Sequence, residues 1–187
     1  PVGQQVLAGP DRRAQRERGG GVGDQRVQPG AVGAQGVGQD EGRELAQRAW
    51  AMSAHGGTDA ERAEAGHLLC LFHYRLGSLD TLIEIGQTVV PVLAAPERRS
   101  NKADLLRWMA LAGCETGRFE TALHCANEAC VLAQDLGDQR QLALSLTALG
   151  ACFERMGDPW QAERLMDEAL EFARAVGDPF ALLVTLN

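Results

Sequence analysis

The chain has 187 residues, of which 45% are apolar and 23% are charged, with a formal net charge of -7 and a pI near 5.1. An acidic balance argues against general affinity for nucleic acid, and no apolar run reaches the roughly 18 residues that a membrane span requires. We therefore expect a soluble protein with no direct nucleic-acid binding and no membrane insertion.

The first 42 residues differ in composition from the rest of the chain. They hold 11 of the 22 glycines and one leucine, and they lack isoleucine, phenylalanine, tryptophan and tyrosine. Such a stretch cannot bury enough apolar area to offset its chain entropy. Two explanations stay open: a disordered tail, or a stretch translated from the wrong frame or start. Five acidic residues balance its arginines, so we predict no binding site there.

From residue 43 onward the sequence repeats about every forty residues. Gly77, Gly117 and Gly157 share one phase, and a second set follows half a unit later at Gly57, Gly137 and Gly177. Glycine at positive φ is common just after a helix, so each glycine predicts a helix end. The predicted helices are 43 to 55, 59 to 76, 79 to 94, 101 to 116, 119 to 136, 139 to 156, 159 to 176, and 179 to the end.

Capping residues agree with these boundaries. Asp158 and Asp178 each follow a helix-ending glycine and precede a proline, which is the order expected for an N-cap and the first helical position. Thr58 with Glu61, and Asp158 with Gln161, also have the spacing of a capping box. These helix starts are therefore well specified by local sequence.

The first full unit is irregular. Pro91 lies inside an apolar run and should kink or shorten its helix, and Pro-Glu-Arg-Arg at 96 to 99 replaces the Gly-Asp closure of later units. Helix pairs of this length must stack on copies of themselves to bury their apolar faces. We predict an all-α fold, an α-solenoid. Its predicted parts are a disordered or spurious segment 1–42, a partial repeat 43–60, full repeats 61–100, 101–140 and 141–180, and a truncated repeat 181–187.

The third full unit carries a recognisable pattern of a large apolar residue, Leu-Gly, an aromatic residue and two alanines. These are Leu146, Leu149, Gly150, Phe153, Ala162 and Ala169. In this order they resemble the tetratricopeptide repeat (TPR) family. The second unit has Gly113 at the aromatic position, and the first unit matches less well. The resemblance implies a noncatalytic array, without cofactor or metal, that binds a protein or peptide in a concave groove.

Two stretches resemble a narrower group. Residues 105–119 and 150–162 are similar to the repeats that precede the catalytic domain of some bacterial diguanylate cyclases. The Gly-Gly-Asp/Glu-Glu-Phe motif of those enzymes does not occur in this chain, so the resemblance implies the regulatory segment of a larger bacterial signalling protein in the cytoplasm. Similar repeats also precede helix-turn-helix domains of bacterial transcription regulators, which is an alternative.

Both ends of the chain suggest a piece of a longer protein. It begins with Pro1 rather than methionine, and it ends inside the last predicted helix. A solenoid closes with a capping helix whose outer face is polar, whereas Leu182, Leu183 and Val184 are expected to present an open apolar face. Dimerisation through that face of the repeats is a further alternative.

The groove positions of the family map onto the first helix of each unit. They are Glu64, His67, Leu71, Tyr74, Asp104, Arg107, Leu111, Cys114, Leu144, Thr147, Ala151 and Glu154. Co-chaperone repeats clamp a carboxylate with asparagine, but leucine or alanine stands at the matching positions, so that clamp is not predicted. Arg107 beside Tyr74 suits an acidic or aromatic peptide side chain, and the alternative is a solvated helix charge.

The five cysteines are odd in number and form no C-x-x-C pair. With the four histidines they predict neither a disulfide framework nor a zinc site, and they favour a reducing cytoplasm. His124 and Cys125 are adjacent and are expected to point off different helical faces. The tryptophans Trp50, Trp108 and Trp160 are expected to pack between helices or at turns.

Overall fold

The computed structural model describes residues 36–186. Within them the chain forms eight α-helices, two short 3-10 turns and no strand, which confirms the predicted all-α class. The helices are α1 Gly36–Ser53, α2 Asp59–Arg75, α3 Leu79–Val89, α4 Arg99–Glu115, α5 Phe119–Leu136, α6 Gln139–Met156, α7 Pro159–Val176 and α8 Pro179–Leu186. The 3-10 turns Val90–Leu93 and Pro96–Arg98 join α3 to α4. Of the segment 1–42, for which two explanations stayed open, residues 1–35 lie outside the described residues, and residues 36–42 belong to α1.

The helices alternate between two layers. A first-helix layer contains α2, α4, α6 and α8, and a second-helix layer contains α1, α3, α5 and α7. Within the first-helix layer α4 packs on both α2 and α6, and α6 packs on α8. Each second helix packs on the first helix of its own unit and on the first helix of the next. This is the predicted TPR-like α-solenoid, in which buried side chains from α2 to α7 form one continuous core.

Five of the six predicted turn glycines have the left-handed backbone that a helix end requires. Their φ angles range from 66° to 84°, and they are Gly77, Gly117, Gly137, Gly157 and Gly177. The prediction is wrong for Gly57, which does not belong to this positive-φ set. Five residues, 54–58, lie between α1 and α2. At each of the five positive-φ glycines, only two or three residues separate one helix from the next. The longer connection spreads the reversal over several residues.

The predicted N-caps are formed. The capping box is complete at Thr58 and Glu61, but not at Asp158, whose N–H donates to the Phe153 carbonyl instead of to Gln161. The Thr58 hydroxyl accepts a hydrogen bond from the Glu61 backbone N–H at 3.2 Å, and the Glu61 carboxylate accepts one from the Thr58 N–H at 2.8 Å. Asp158 accepts from the Gln161 N–H at 3.1 Å, and Asp178 accepts from two backbone N–H groups at the start of α8. Each cap satisfies backbone donors that have no partner inside the helix.

The irregular first unit follows its prolines. α3 ends at Val89, and Pro91 lies in the 3-10 turn that follows, so α3 has 11 residues where α5 and α7 have 18. The predicted shortening of this helix is confirmed. Residues Pro96–Arg98 form a second 3-10 turn, and α4 begins at Arg99, two residues before the predicted start.

The predicted start of the first helix at residue 43 is wrong, because α1 begins at Gly36. Its early residues include Gly38 and Gly42, which are poor helix formers. Gly42 lies directly against the ring of Phe72 in α2, and a Cβ at Gly42 would meet that ring. Packing on α2 therefore extends the helix into a stretch whose composition alone argues against it.

Two small residues set the close approach of the helices within the second unit. A Cβ at Gly113 would lie 3.0 Å from the Ala122 Cβ and 3.2 Å from the Ala122 backbone nitrogen. In the third unit a Cβ at Gly150 would lie 3.4 Å from the Ala162 carbonyl oxygen, and its nearest contact is the flexible end of Met166 at 3.1 Å. The predicted role of small residues in helix contact is confirmed at both places.

Gly113 faces backbone atoms and Gly150 faces a flexible side chain, so alanine substitution at the two positions gives a matched stability test. Alanine gains about 1 kcal/mol over glycine in a helix, whereas overpacking against an immovable neighbour costs about 1–3 kcal/mol. We expect Gly113→Ala to lower the free energy of unfolding by about 1 kcal/mol and Gly150→Ala to leave it unchanged or raise it by up to about 1 kcal/mol. Urea unfolding followed by circular dichroism measures both, and equal effects of the two substitutions would contradict the assigned contact.

Candidate functional site

The twelve predicted groove residues lie on three adjacent helices of the first-helix layer, four each on α2, α4 and α6. Nine of them are exposed or half-buried, and we call these nine the groove face. They are Glu64, His67, Leu71, Tyr74, Asp104, Arg107, Leu111, Ala151 and Glu154. The other three, Cys114, Leu144 and Thr147, are buried.

For those three residues the predicted groove role is wrong, because each contacts a neighbouring unit instead. Cys114 is bonded to Cys152 in α6. Thr147 Oγ1 lies 3.0 Å from Thr185 Oγ1 in α8, and Leu144 is buried in a cluster that includes residues of α7 and α8. The bond between Cys114 and Cys152 also contradicts the expectation that no cysteines would pair.

Trp108 forms the centre of the groove face although it was not among the predicted groove residues. Its ring is buried and stacks on His67, with ring centroids 5.0 Å apart, and on Tyr74, with centroids 5.9 Å apart. Both partners come from α2, so the indole joins α2 to α4. The predicted packing role of Trp108 is confirmed, whereas Trp160, near the start of α7, is 67% exposed and does not follow it.

Arg107 is neither a solvated charge nor an open anchor for an acidic peptide. Its Nη2 donates a hydrogen bond to Asp104 at 2.9 Å, and the arginine side chain is only 11% exposed. Its guanidinium carbon also lies 5.9 Å from the centroid of the Trp108 ring. Asp104 therefore offsets the charge of Arg107, and the interpretation of Arg107 as a solvated charge is wrong. Contact of Arg107 and Tyr74 with an aromatic peptide side chain stays a prediction.

The titratable rings of the groove face are held neutral near pH 7. Burial lowers the pKa of His67, an effect that the nearby carboxylates of Asp104 and Glu64 oppose. Burial also raises the pKa of Tyr74, with Arg107 acting in the opposite direction. We call the aromatic residues His67, Tyr74 and Trp108 the floor of the groove face, and this floor is uncharged. Glu64 and Glu154 are exposed carboxylates at its two sides.

Ion pairs join neighbouring units at a nearly constant separation, and sequence reasoning missed them. An exposed pair of this kind contributes little stability alone, so its main effect is on the relative placement of the units. Opposite charges about one repeat apart would have been the signal in the sequence. The pairs are Asp80 with Arg118 at 2.7 Å, Glu115 with Arg155 at 2.6 Å, and Arg140 with Asp178 at 2.5 Å, separated by 38 to 40 residues.

A second concavity of about 430 Å³ lies on the other side of the second unit, where α3 ends early. Leu106 and Met109 contribute apolar surface to it. His124 and Cys125 both line it. The His124 side chain is exposed and Cys125 is buried, as expected for adjacent residues that point off different faces of α5. Among residues 36–186 no group of three or more His, Cys, Asp or Glu side chains is placed to hold a metal ion, and no helix has the length and apolar content to cross a membrane.

The lowered pKa of His67 predicts a pH effect. Protonation of His67 is disfavoured in the folded chain. The contribution of neutral His67 to the free energy of unfolding is therefore complete above the unfolded-state pKa near 6.5, and this contribution is lost as the pH falls below that pKa. Replacement by phenylalanine keeps a ring against Trp108 and removes Nε2, which is buried without a hydrogen-bond partner among the described residues. We expect His67→Phe to gain up to about 1 kcal/mol at pH 7, and to gain more at pH 5.5.

The measurement is the free energy of unfolding of wild type and variant at pH 7.0, 6.0 and 5.5. His124→Gln is the control for the loss of a histidine, because the His124 side chain is 78% exposed. A His67→Phe slope equal to that of wild type would show that His67 does not resist protonation in the fold.

Comparison with known proteins identifies the repeats. Residues 101–175 match the tetratricopeptide repeat family. Two crystal structures of a Podosopora anserina protein designated a kinesin light chain, with nearly identical TPR-like repeats, are similar in fold at TM-scores of 0.62 and 0.63. Each match covers 81% of this chain and 75% of the other at 16% identity, so the likeness concerns the fold alone. No curated protein matches the chain. Residues 101–175 are thus similar to tetratricopeptide repeats and lie within a TPR-like α-solenoid.

Proposed function

We propose that the chain is a noncatalytic scaffold that binds a protein or peptide segment on its groove face. Tetratricopeptide arrays generally serve as binding scaffolds, and residues 101–175 match that family. The observation that carries the proposal is the aromatic floor, in which the half-buried rings of His67 and Tyr74 stack on the buried ring of Trp108 from the next unit. Such a floor offers apolar contact area that neighbouring repeats build jointly.

The charges of the groove face favour a basic partner over the acidic one expected from Arg107. Three of its residues are carboxylates, Glu64, Asp104 and Glu154, and one is a cation. Because Arg107 is paired with Asp104, two exposed carboxylates remain at the sides of a neutral floor. We infer a segment with apolar or aromatic side chains for the floor and lysine or arginine at its flanks.

We further propose that this scaffold is the regulatory or sensory segment of a larger bacterial signalling protein in the cytoplasm. Residues 105–119 and 150–162 support an array that precedes a diguanylate cyclase domain. The alternative is the sensing array of a bacterial transcription regulator. In-frame sequence beyond Asn187 separates them, because a Gly-Gly-Asp/Glu-Glu-Phe motif supports the first and a basic helix-turn-helix supports the second.

Pairing of two copies through the last helix is a separate proposal. Leu182 and Val184 are half-buried against neighbouring residues, so the predicted apolar face is corrected to the exposed side chains Phe180, Leu183 and Leu186. Sedimentation of the full chain at several concentrations tests it. A dimer that Phe180→Glu dissociates would support the proposal, and a monomer at all concentrations would contradict it.

Peptide selection tests the binding function. We expect the full 187-residue chain to enrich peptides from a random phage-displayed library, with apolar residues flanked by lysine or arginine. Leu111→Glu places a charge on the groove face between α2 and α6, and it should weaken binding of an enriched peptide at least about tenfold, since burying an unpaired charge costs several kcal/mol.

Val131→Glu is the matched control, because it makes the same kind of change at an exposed position on α5 in the second-helix layer. We expect this variant to bind the enriched peptide as wild type does. Loss of binding in Val131→Glu but not in Leu111→Glu would place the binding surface on the other layer, and the absence of any enriched peptide would count against the proposed function.

A further inference from the structure

The Cys114–Cys152 disulfide joins the first helices of two successive units. Cys114 lies near the end of α4 and Cys152 near the end of α6, with their Cα atoms 5.5 Å apart, within the ordinary range for a disulfide. Both residues are buried, at 3% and 0% exposure, beside Ala122 and Leu123 of α5. The bond therefore crosses the junction between the second and third units.

The other three cysteines behave differently. Cys70, Cys125 and Cys130 are buried free thiols, and burial raises their pKa values to about 12, 11 and 12. At neutral pH such thiols are protonated and therefore poor nucleophiles. Of the five cysteines, only Cys114 and Cys152 form a disulfide. Because this pair is buried as well, exchange at it requires local opening of the junction.

The junction also borders the groove face. Leu111 lies about one helical turn before Cys114, and Ala151 directly precedes Cys152. The next residue after Cys114, Glu115, accepts a hydrogen bond from Arg155 of α6 at 2.6 Å. A covalent bond and an ion pair thus hold α4 against α6 at the same level. Breaking the covalent bond leaves an exposed ion pair and the packing of small side chains, which constrain the two helices less.

We propose that Cys114–Cys152 is a thiol–disulfide exchange site that controls how firmly α4 and α6 are held together. In the oxidised state the two helices keep a fixed spacing, and in the reduced state their last turns separate more readily. A consequence for peptide affinity rests on the proposed function of the groove face. The bond itself and its effect on helix packing do not rest on that proposed function.

The exchange balances with a dithiol as the reductant. One reductant thiolate attacks the Sγ of one cysteine, the bond between the two cysteine sulfurs breaks, and the other Sγ leaves as a thiolate. The second reductant thiolate then displaces the first Sγ, so the reductant becomes a cyclic disulfide. Two electrons pass to the cysteine pair, and the two protons of the reductant end on Cys114 and Cys152. Glutathione disulfide reverses the change by the same exchange in two steps.

Counting thiols tests the bond. The full chain, purified without reductant and denatured in excess iodoacetamide, is expected to gain three carbamidomethyl groups, whereas prior reduction by dithiothreitol should give five. The control Cys125→Ala should give two and four. Five groups on the unreduced wild type would overturn the proposal.

Two measurements on the unmutated chain test the effect on packing. Reduction is expected to lower the thermal midpoint by roughly 10 °C. Hydrogen exchange is expected to become at least about tenfold faster in residues 111–115 and 151–156, because their protection then reflects a weaker junction. Equal exchange in both redox states would overturn the proposed control of helix packing.

The variant Cys114→Ala/Cys152→Ala separates the disulfide from other effects of the reductant. It should match the reduced wild type in both measurements and show no response to dithiothreitol. A response equal to that of wild type would overturn the assignment to this pair. These outcomes do not depend on peptide binding, so failure to enrich a peptide would contradict the proposed function and leave this inference to be decided by its own data.

Discussion

Close contact between the two helices of each unit is the constraint on which the rest of the structure depends. At Gly113 and Ala122 the helices approach so closely that one added methyl group would strike backbone atoms. That approach fixes the spacing of α4 and α5, and left-handed glycines such as Gly117 reverse the chain in a short turn between them. Because the second and third units have nearly the same shape, they stack with a nearly constant register, whereas the short α3 makes the first unit an exception.

The stacking explains why one side of the first-helix layer stays open. Within the array, α4 is covered by α2, α3, α5 and α6, and its remaining side faces solvent. Side chains on α4 that point toward the next unit, such as Cys114, become part of the junction. Side chains that point away, such as Leu111, stay on the groove face. Trp108 combines both properties, because its ring is buried and also stacks on His67 and Tyr74 of the previous unit. These three rings form the floor.

Local sequence predicted the helices well because their ends depend on local chemistry. Turn glycines and the capping pair Thr58 and Glu61 act within a few residues, so they could be recognised from spacing alone. The prediction of a positive φ at Gly57 was wrong because residue type does not reveal the length of a connection between helices. The start of α1 was missed because it depends on Gly42 meeting Phe72, a contact made by residues distant in the sequence.

The site was harder to predict because its properties depend on pairs of units. Nine of twelve groove positions lie at the surface, but the burial of Thr147 depends on α8, whose Thr185 pairs with it. The pairing of Arg107 with Asp104 depends on a side-chain rotamer that spacing does not determine. The Cys114–Cys152 bond follows from the repeat register itself, since its separation of 38 residues is close to one repeat. Searching for complementary residues one repeat apart would have found it.

Photo-crosslinking from the groove face tests the central claim most directly. A benzophenone side chain placed at Leu111 of the full chain, and in a second sample at Val131, is irradiated with an enriched library peptide, and the products are mapped by mass spectrometry. The account predicts a crosslinked product from position 111, suppressed by excess unlabelled peptide, and none from position 131. A competed product from position 131 alone would show that the groove face is not the binding surface.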